Sequence, residues 1–148
     1  MIDGNGLNIR ELDATNCAEG YRAMHALRPA LTEADFRTRV PAQMNEGYRL
    51  LGAFRAGEDS AVSVAGFRHI TNLAHGHHCY IDDLSTLPEA RGTGAASLLL
   101  DRIAEDAQRA GIRKIHLDSG VQAERAAAHR LYFARGFRIA SYHFSREL

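Results

Sequence analysis

The chain has 148 residues, 45% hydrophobic and 24% charged, the balance of an ordinary globular domain. Eighteen Lys and Arg offset eighteen Asp and Glu, so net charge gives no bulk attraction to nucleic acid or to an anionic membrane. Cys17 and Cys79 are too few for a disulfide framework and form no C-x-x-C pair. No apolar run approaches the roughly 20 residues that cross a bilayer, and Met1 to Arg10 lacks the features of a secretory signal. The expectation is one cytoplasmic domain over residues 1–148, with residues 1–6 a loose N-terminal end.

Leu7 and Ile9 alternate with polar neighbours, as in a short first strand. Asn16 followed by Glu19 resembles a capping box and predicts a helix burying Tyr21, Met24 and Leu27, ended by Pro29. Thr32 and Asp35 open a second helix with Phe36, Val40 and Met44 at helical spacing; Pro41 predicts a kink or an end there. Two strands follow, Tyr48 to Phe54 and Ala61 to Ile70, with a turn over Arg55 to Ser60. A further turn, Thr71 to Gly76, leads to a strand near Cys79 to Leu87.

The second half changes character. Ala96, Leu99, Ile103, Ala107 and Ala110 form an apolar stripe at helical spacing, stopped by Gly111. Lys114 to Asp118 reads as a short strand with Ile115 and Leu117 buried. Ala123 to Arg135 reads as a helix stopped by Gly136, and Phe137 to Phe144 as a closing strand. The order β-α-α-β-β-β-α-β-α-β predicts a mixed α/β domain of α+β character, with a central mixed, largely antiparallel sheet flanked by helices.

The informative stretch is Leu84-Ser85-Thr86-Leu87-Pro88-Glu89-Ala90-Arg91-Gly92-Thr93-Gly94-Ala95-Ala96-Ser97. A strand ends, proline turns the chain, and a glycine-rich segment opens a helix. The first helical turn carries backbone N–H groups without intrahelical partners, and glycines remove the Cβ atoms that would keep a phosphate away from them. A diphosphate is the natural ligand, with Arg91 as an added positive charge. A glycine turn that serves geometry alone is the competing reading of a bare Gly-x-Gly. A dinucleotide-binding turn fits poorly, because Ser97 stands where its third glycine or alanine belongs.

Arg91-x-x-Gly94-x-Ala96 matches the R/Q-x-x-G-x-G/A signature of the GNAT superfamily of acetyl-CoA-dependent N-acetyltransferases, and Ser97-Leu98-Leu99 continues as its helix does. Asp82-Asp83-Leu84-Ser85-Thr86 looks like that family's fourth strand. Ala128 to Phe137 resembles its A-x-x-x-Y-x-x-x-G-F motif. The similarity spans roughly residues 48 to 144. It implies direct transfer of acetyl from acetyl-CoA, as co-substrate, to the primary amine of a small molecule or protein, with no metal. Partners would be neither nucleic acid nor membrane, and a homodimer is left open.

The resemblance also implies roles for residues. Backbone amides around Leu84, Ser85 and Thr86, on a strand splayed from the next, would hold the acetyl carbonyl and the pantetheine arm. Those of Gly92, Thr93, Gly94, Ala95, Ala96 and Ser97 would hold the pyrophosphate. Tyr132 would be the general acid, since a phenol stays protonated at neutral pH; packing on its helix is the alternative. Asp82 or Asp83 would be the base, often through water. Being adjacent on a strand they point to opposite faces unless a bulge changes the parity. Arg125 stands where the family often has asparagine and could reach a phosphate. The Ala-His-Arg-x-Tyr form is similar to that of aminoalkylphosphonate acetyltransferases.

Asp35, Arg37 and Arg39 are candidates to face the acceptor. His75, His77 and His78 with Cys79 suggest a metal cluster, but successive strand residues converge poorly on one ion and exposed loop histidines are expected, with His78 open to bordering the acceptor site. His129 and His143 read as surface or packing residues, and direct transfer requires neither cysteine as nucleophile. The alternative function is a non-catalytic acyl-CoA-binding regulatory module, in which Tyr132 and the acidic pair would have no use.

Overall fold

A computed structural model of the chain describes residues 4–148, and its first unit shows the meander that the apolar alternation predicts. The strands are β1 (Leu7–Leu12), β2 (Arg49–Arg55), β3 (Ser63–Asn72), β4 (Gly76–Thr86) and β5 (Ile115–Leu117). They lie in the order β1-β2-β3-β4-β5 in one mixed sheet, antiparallel from β1 through β4. Helices α1 (Tyr21–Leu27), α2 (Glu33–Asn45) and α3 (Ala95–Arg109) belong to the same unit, Met1–His116. The second unit, Leu117–Leu148, contains α4 (Ala126–Ala134).

Strand alternation assigns the two sheet faces. Leu12, Leu50, Gly66 and Asp83 are register partners in a row, as are Val64 and Ser85, and Ser85 Oγ donates to the Ala23 carbonyl of α1 at 2.6 Å. This is therefore the α1 face. Arg49 and Phe67 pair on the other face, where Arg49 reaches Asp106 of α3 and Glu11 of β1. The Arg49 guanidinium holds the Asp106 carboxyl below its ordinary value. α3 buries Leu99, Leu100, Ile103 and Ala107, the helical stripe read from sequence.

The register of β3 and β4 slips once. Asp83 lies opposite Gly66 and Ile81 opposite Phe67, so Asp82 is an extra residue bulged out of β4. Gly66 is tied to this place by crowding: a Cβ built there would lie 1.8 Å from the Tyr48 hydroxyl. A strand glycine at a close approach of this kind is the usual reason for its presence.

Several expectations need correcting. Asn16 does not cap a helix; its side chain accepts from the Asp13 amide at 2.7 Å, and Cys17–Gly20 form a 3-10 turn before α1. Thr32 does cap α2, accepting from the Asp35 amide, and α2 runs through Pro41 because Arg37, whose carbonyl loses its donor, lies on the exposed side. Ile115 and Leu117 are only half-buried. Of the expected loose end, residues 1–3 lie outside the described residues. The closing strand over Phe137 to Phe144 is not formed: among the described residues no strand follows α4, and Ile139, Tyr142 and Phe144 are exposed. Alternation supplies a face for a strand, and a strand also needs an edge to pair with.

Candidate active site

The bulge decides where the acidic pair goes. With Asp82 extra in β4, both carboxylates open onto the same side, and both line a cleft of about 640 Å³ walled by α1, α2, the segment between them and Tyr48, just before β2. Met24, Leu27, Phe36 and Val40 supply its apolar wall.

Each carboxylate has its own arginine. Arg68 Nε and Nη2 donate to Asp82 Oδ2 and Oδ1 at 2.9 and 3.2 Å. Arg28, at the C-cap of α1, donates from Nε and Nη2 to Asp83 Oδ1 at 3.2 and 3.0 Å, and from Nη2 to the Asp82 carbonyl at 3.2 Å. Tyr48, 3% exposed, donates its hydroxyl to Asp83 Oδ2 at 2.8 Å. Burial pushes the Asp82 carboxyl above its ordinary value, and Arg68 opposes that. Burial, then the Asp83 charge, push the Tyr48 phenol well up, so it stays a donor.

Sequence reasoning found Asp82 and Asp83 and missed Arg28, Tyr48 and Arg68. The readable signal was Gly66, a glycine inside a strand pattern, which marks close approach of another group. Of the candidates on α2, Asp35 and Arg39 line the cleft, while Arg37 pairs with Glu33 at 3.5 Å.

Along β4 the chain continues into Leu84, Ser85 and Thr86, paired on one side with Ala65, Val64 and Ser63 of β3. The Ser85 carbonyl accepts from Ser63 Oγ at 2.9 Å. On the other side β5 joins β4 where the Cys79 amide donates to the Lys114 carbonyl at 3.0 Å. Three residues of strand cover about 10 Å, so β5 is too short to accompany β4 as far as Leu84 to Thr86. Those residues are where a splayed sheet would expose amides.

The glycine segment that follows leaves the start of α3 open. Gly92 and Gly94 take φ of +76° and +84°, and a Cβ at Gly92 would meet nothing within 4 Å. Gly94 is the N-cap of α3, with no side-chain cap on the helix. The amides of Ala95, Ala96 and Ser97 therefore open the helix without a capping group. Thr93 Oγ1 donates to the Ala90 carbonyl at 2.6 Å and Asn5 Nδ2 to the Thr93 carbonyl at 3.2 Å, which hold the turn in shape. Arg91 is exposed beside it. These residues fit a diphosphate.

In the second unit, Tyr132 on α4 is 7% exposed and packs against Phe137, ring centroids 5.8 Å apart. Arg125 Nη2 donates to its hydroxyl at 3.4 Å and Arg125 Nε to Ser119 Oγ at 3.4 Å. Burial pushes the Tyr132 phenol up, against the pull of Arg125.

The chain belongs to the acetyltransferase (GNAT) family. That family's model matches residues 17–137. The chain is 33% identical over 132 residues to the uncharacterized N-acetyltransferase YhdJ of Bacillus subtilis (strain 168), covering 87% of this chain and 89% of the relative. It is 32% identical over 108 residues to an aminoalkylphosphonate N-acetyltransferase of Salmonella typhimurium, covering 70% of this chain and 64% of the relative. A predicted acetyltransferase from Clostridium acetobutylicum, solved with acetyl-CoA, shares the fold at a TM-score of 0.72 and 18% identity, over 95% of this chain and 96% of that one. The protein is thus an acetyltransferase of the GNAT kind, a family that uses acetyl-CoA.

No histidine or cysteine is among the residues that line the cleft. His78 is not an exposed loop residue: β4 starts at Gly76, earlier than the apolar pattern indicated, and His78 is buried, with Nδ1 2.9 Å from the Gly76 carbonyl. Its ring centroid lies 5.3 Å from that of His75 and 5.1 Å from that of His116. Among the described residues, no group of three or more His, Cys, Asp or Glu is arranged to hold a metal ion. Both cysteines are free and buried; burial pushes the Cys79 thiol up to about 12.

Proposed function

We propose that this GNAT protein transfers the acetyl group of acetyl-CoA directly to the primary amine of a small molecule or protein seated in the Asp82–Asp83 cleft. The bulge at Asp82 carries this reading, because it turns two adjacent strand carboxylates toward one cavity. The amine must lose a proton to attack the thioester, and a carboxylate raised by burial is a better base than an ordinary one. Asp82 is raised in this way and is assigned the base; Asp83, held by Tyr48 and Arg28, orders the wall beside it.

The amides of Leu84, Ser85 and Thr86 hold the acetyl carbonyl and the pantetheine arm. Those of Gly92 through Ser97, with Arg91, hold the pyrophosphate, and Arg125 is a further candidate for a phosphate. Tyr132 donates its proton to the departing thiolate. Its phenol is protonated at neutral pH, and burial moves it further in that direction. The cysteines take no part: the Cys79 thiol, held near 12, offers almost no thiolate at neutral pH, and burial raises the Cys17 thiol as well. Two free cysteines also support a cytoplasmic location.

The pH dependence tests the base. An Asp whose value lies above the ordinary one is protonated, and inactive as base, as pH falls through that raised value. The acidic limb of kcat/KM should therefore lie above that of an ordinary aspartate. Asp82→Asn should remove that limb and lower kcat/KM, whereas Asp83→Asn should leave the limb in place. A limb retained in Asp82→Asn counts against Asp82.

A further inference from the structure

Resting on that reading of the cleft, we infer that the preferred acceptor is a small amine that also carries an anionic group, and that Arg39 with Arg28 receives the anion. The cleft lining carries both signs, Arg28 and Arg39 with Asp35, Asp82 and Asp83, and Arg68 pairs with Asp82, so the site is balanced for a zwitterion rather than strongly acidic as a polycation would require. The two carboxylates nearest the bulge are each neutralised by an arginine, Asp82 by Arg68 and Asp83 by Arg28. The acidic end therefore presents little uncompensated negative charge to a polyamine.

Arg39, on α2, lines the same cleft and forms no ion pair among the described residues, although Asp35 lies one helical turn away on the same wall. Arg28 is fixed by its bonds to Asp83 and the Asp82 carbonyl, and its Nη1 has no partner among the described residues. An arginine held in place by Asp83 with a donor to spare, in one cleft with an arginine that has no ion pair among the described residues, is a receiver for a carboxylate or phosphonate oxygen. The cleft of about 640 Å³ is of the size that takes small ligands. An amine that gives its proton to Asp82 and an anion received at Arg39 fit a zwitterion.

The test compares kcat/KM for propylamine, spermidine, β-alanine and aminoethylphosphonate, with acetyl-CoA saturating, in the native protein and in Arg39→Gln and Arg39→Lys. The anionic amines should be preferred, and the pair separates a carboxylate from a phosphonate. Arg39→Gln should cut the ratio of kcat/KM for the preferred anionic amine over propylamine by about 10- to 100-fold, the worth of one charged hydrogen bond, through KM rather than kcat. Arg39→Lys should restore part of that ratio. Preference for spermidine or propylamine, or an unchanged ratio in Arg39→Gln, overturns the inference while leaving acetyl transfer intact. If no amine turns over, the proposed function fails instead. Calorimetry of β-alanine and propylamine against the CoA-loaded protein then still decides the inference, and binding of β-alanine no tighter than that of propylamine overturns it.

Discussion

Tyr132→Phe is expected to lower kcat for acetyl transfer about 100-fold or more, the usual worth of a positioned general acid, with acetyl-CoA affinity nearly unchanged. The substitution removes one oxygen and keeps the ring. Packing against Phe137 at 5.8 Å survives, so α4 should not lose its fold. What disappears is the proton donor and a long bond from Arg125, at 3.4 Å. Because burial raises the Tyr132 phenol, the native protein should show no alkaline loss of kcat from this group until above the ordinary tyrosine range near 10. A structural role would show as a lowered unfolding midpoint, which equilibrium unfolding in urea measures separately. Unchanged turnover on a true acceptor would remove the general-acid assignment.

Gly66→Ala should damage both stability and the site, through one contact. Its new Cβ would lie 1.8 Å from the Tyr48 hydroxyl and 2.3 Å from the ring carbon that bears it. Tyr48 is 3% exposed and cannot swing freely, so it must leave its seat. Overpacking of this kind costs about 1–3 kcal/mol. The lost bond to the Asp83 carboxylate adds about 1.5–3 kcal/mol. Asp83 would keep Arg28 and lose its ordering partner, so kcat/KM should fall as well. A double-mutant cycle separates this from a general effect on β3. Once Tyr48→Ala has emptied the seat, adding Gly66→Ala should cost little more. Full additivity of the two changes would show that the crowding runs through other neighbours.

The legible parts of this molecule were those in which one strand or helix answers to its own residues. The stripe Leu99, Ile103, Ala107 gave α3 almost to the residue, and Gly111 gave its stop. The motif Arg91 to Ala96 indicated a glycine turn opening a helix, and the structure shows Gly92 and Gly94 in the left-handed region at the start of α3. The acidic pair was legible as residues but not as geometry, since parity on a regular strand allows only one of them toward the cleft. The bulge that breaks this parity arises between β3 and β4, and no local pattern in β4 encodes it.

Arg28 illustrates the remaining difficulty. In sequence it is the last residue before a helix-ending proline; in space it reaches Asp83 across 55 positions. Tyr48 and Arg68 were read as strand residues, and their partners lie 35 and 14 positions away. The strand expected over Phe137 to Phe144 shows the opposite error, an alternation with no paired edge. The similarity between the acidic strand, the glycine turn and the tyrosine motif and one family supplied what spacing alone could not.

The central claim is acetyl transfer from acetyl-CoA to an amine held at the Asp82–Asp83 cleft. Its most direct test is to incubate the protein with acetyl-CoA and a panel of amines and peptides, titrate released thiol, and identify the acetylated product by mass spectrometry. The account predicts amine-dependent thiol release with stoichiometric N-acetyl product, and its loss when Asp82 and Tyr132 are replaced. Tight acetyl-CoA binding with no product on any amine would contradict it and favour a non-catalytic acyl-CoA-binding module.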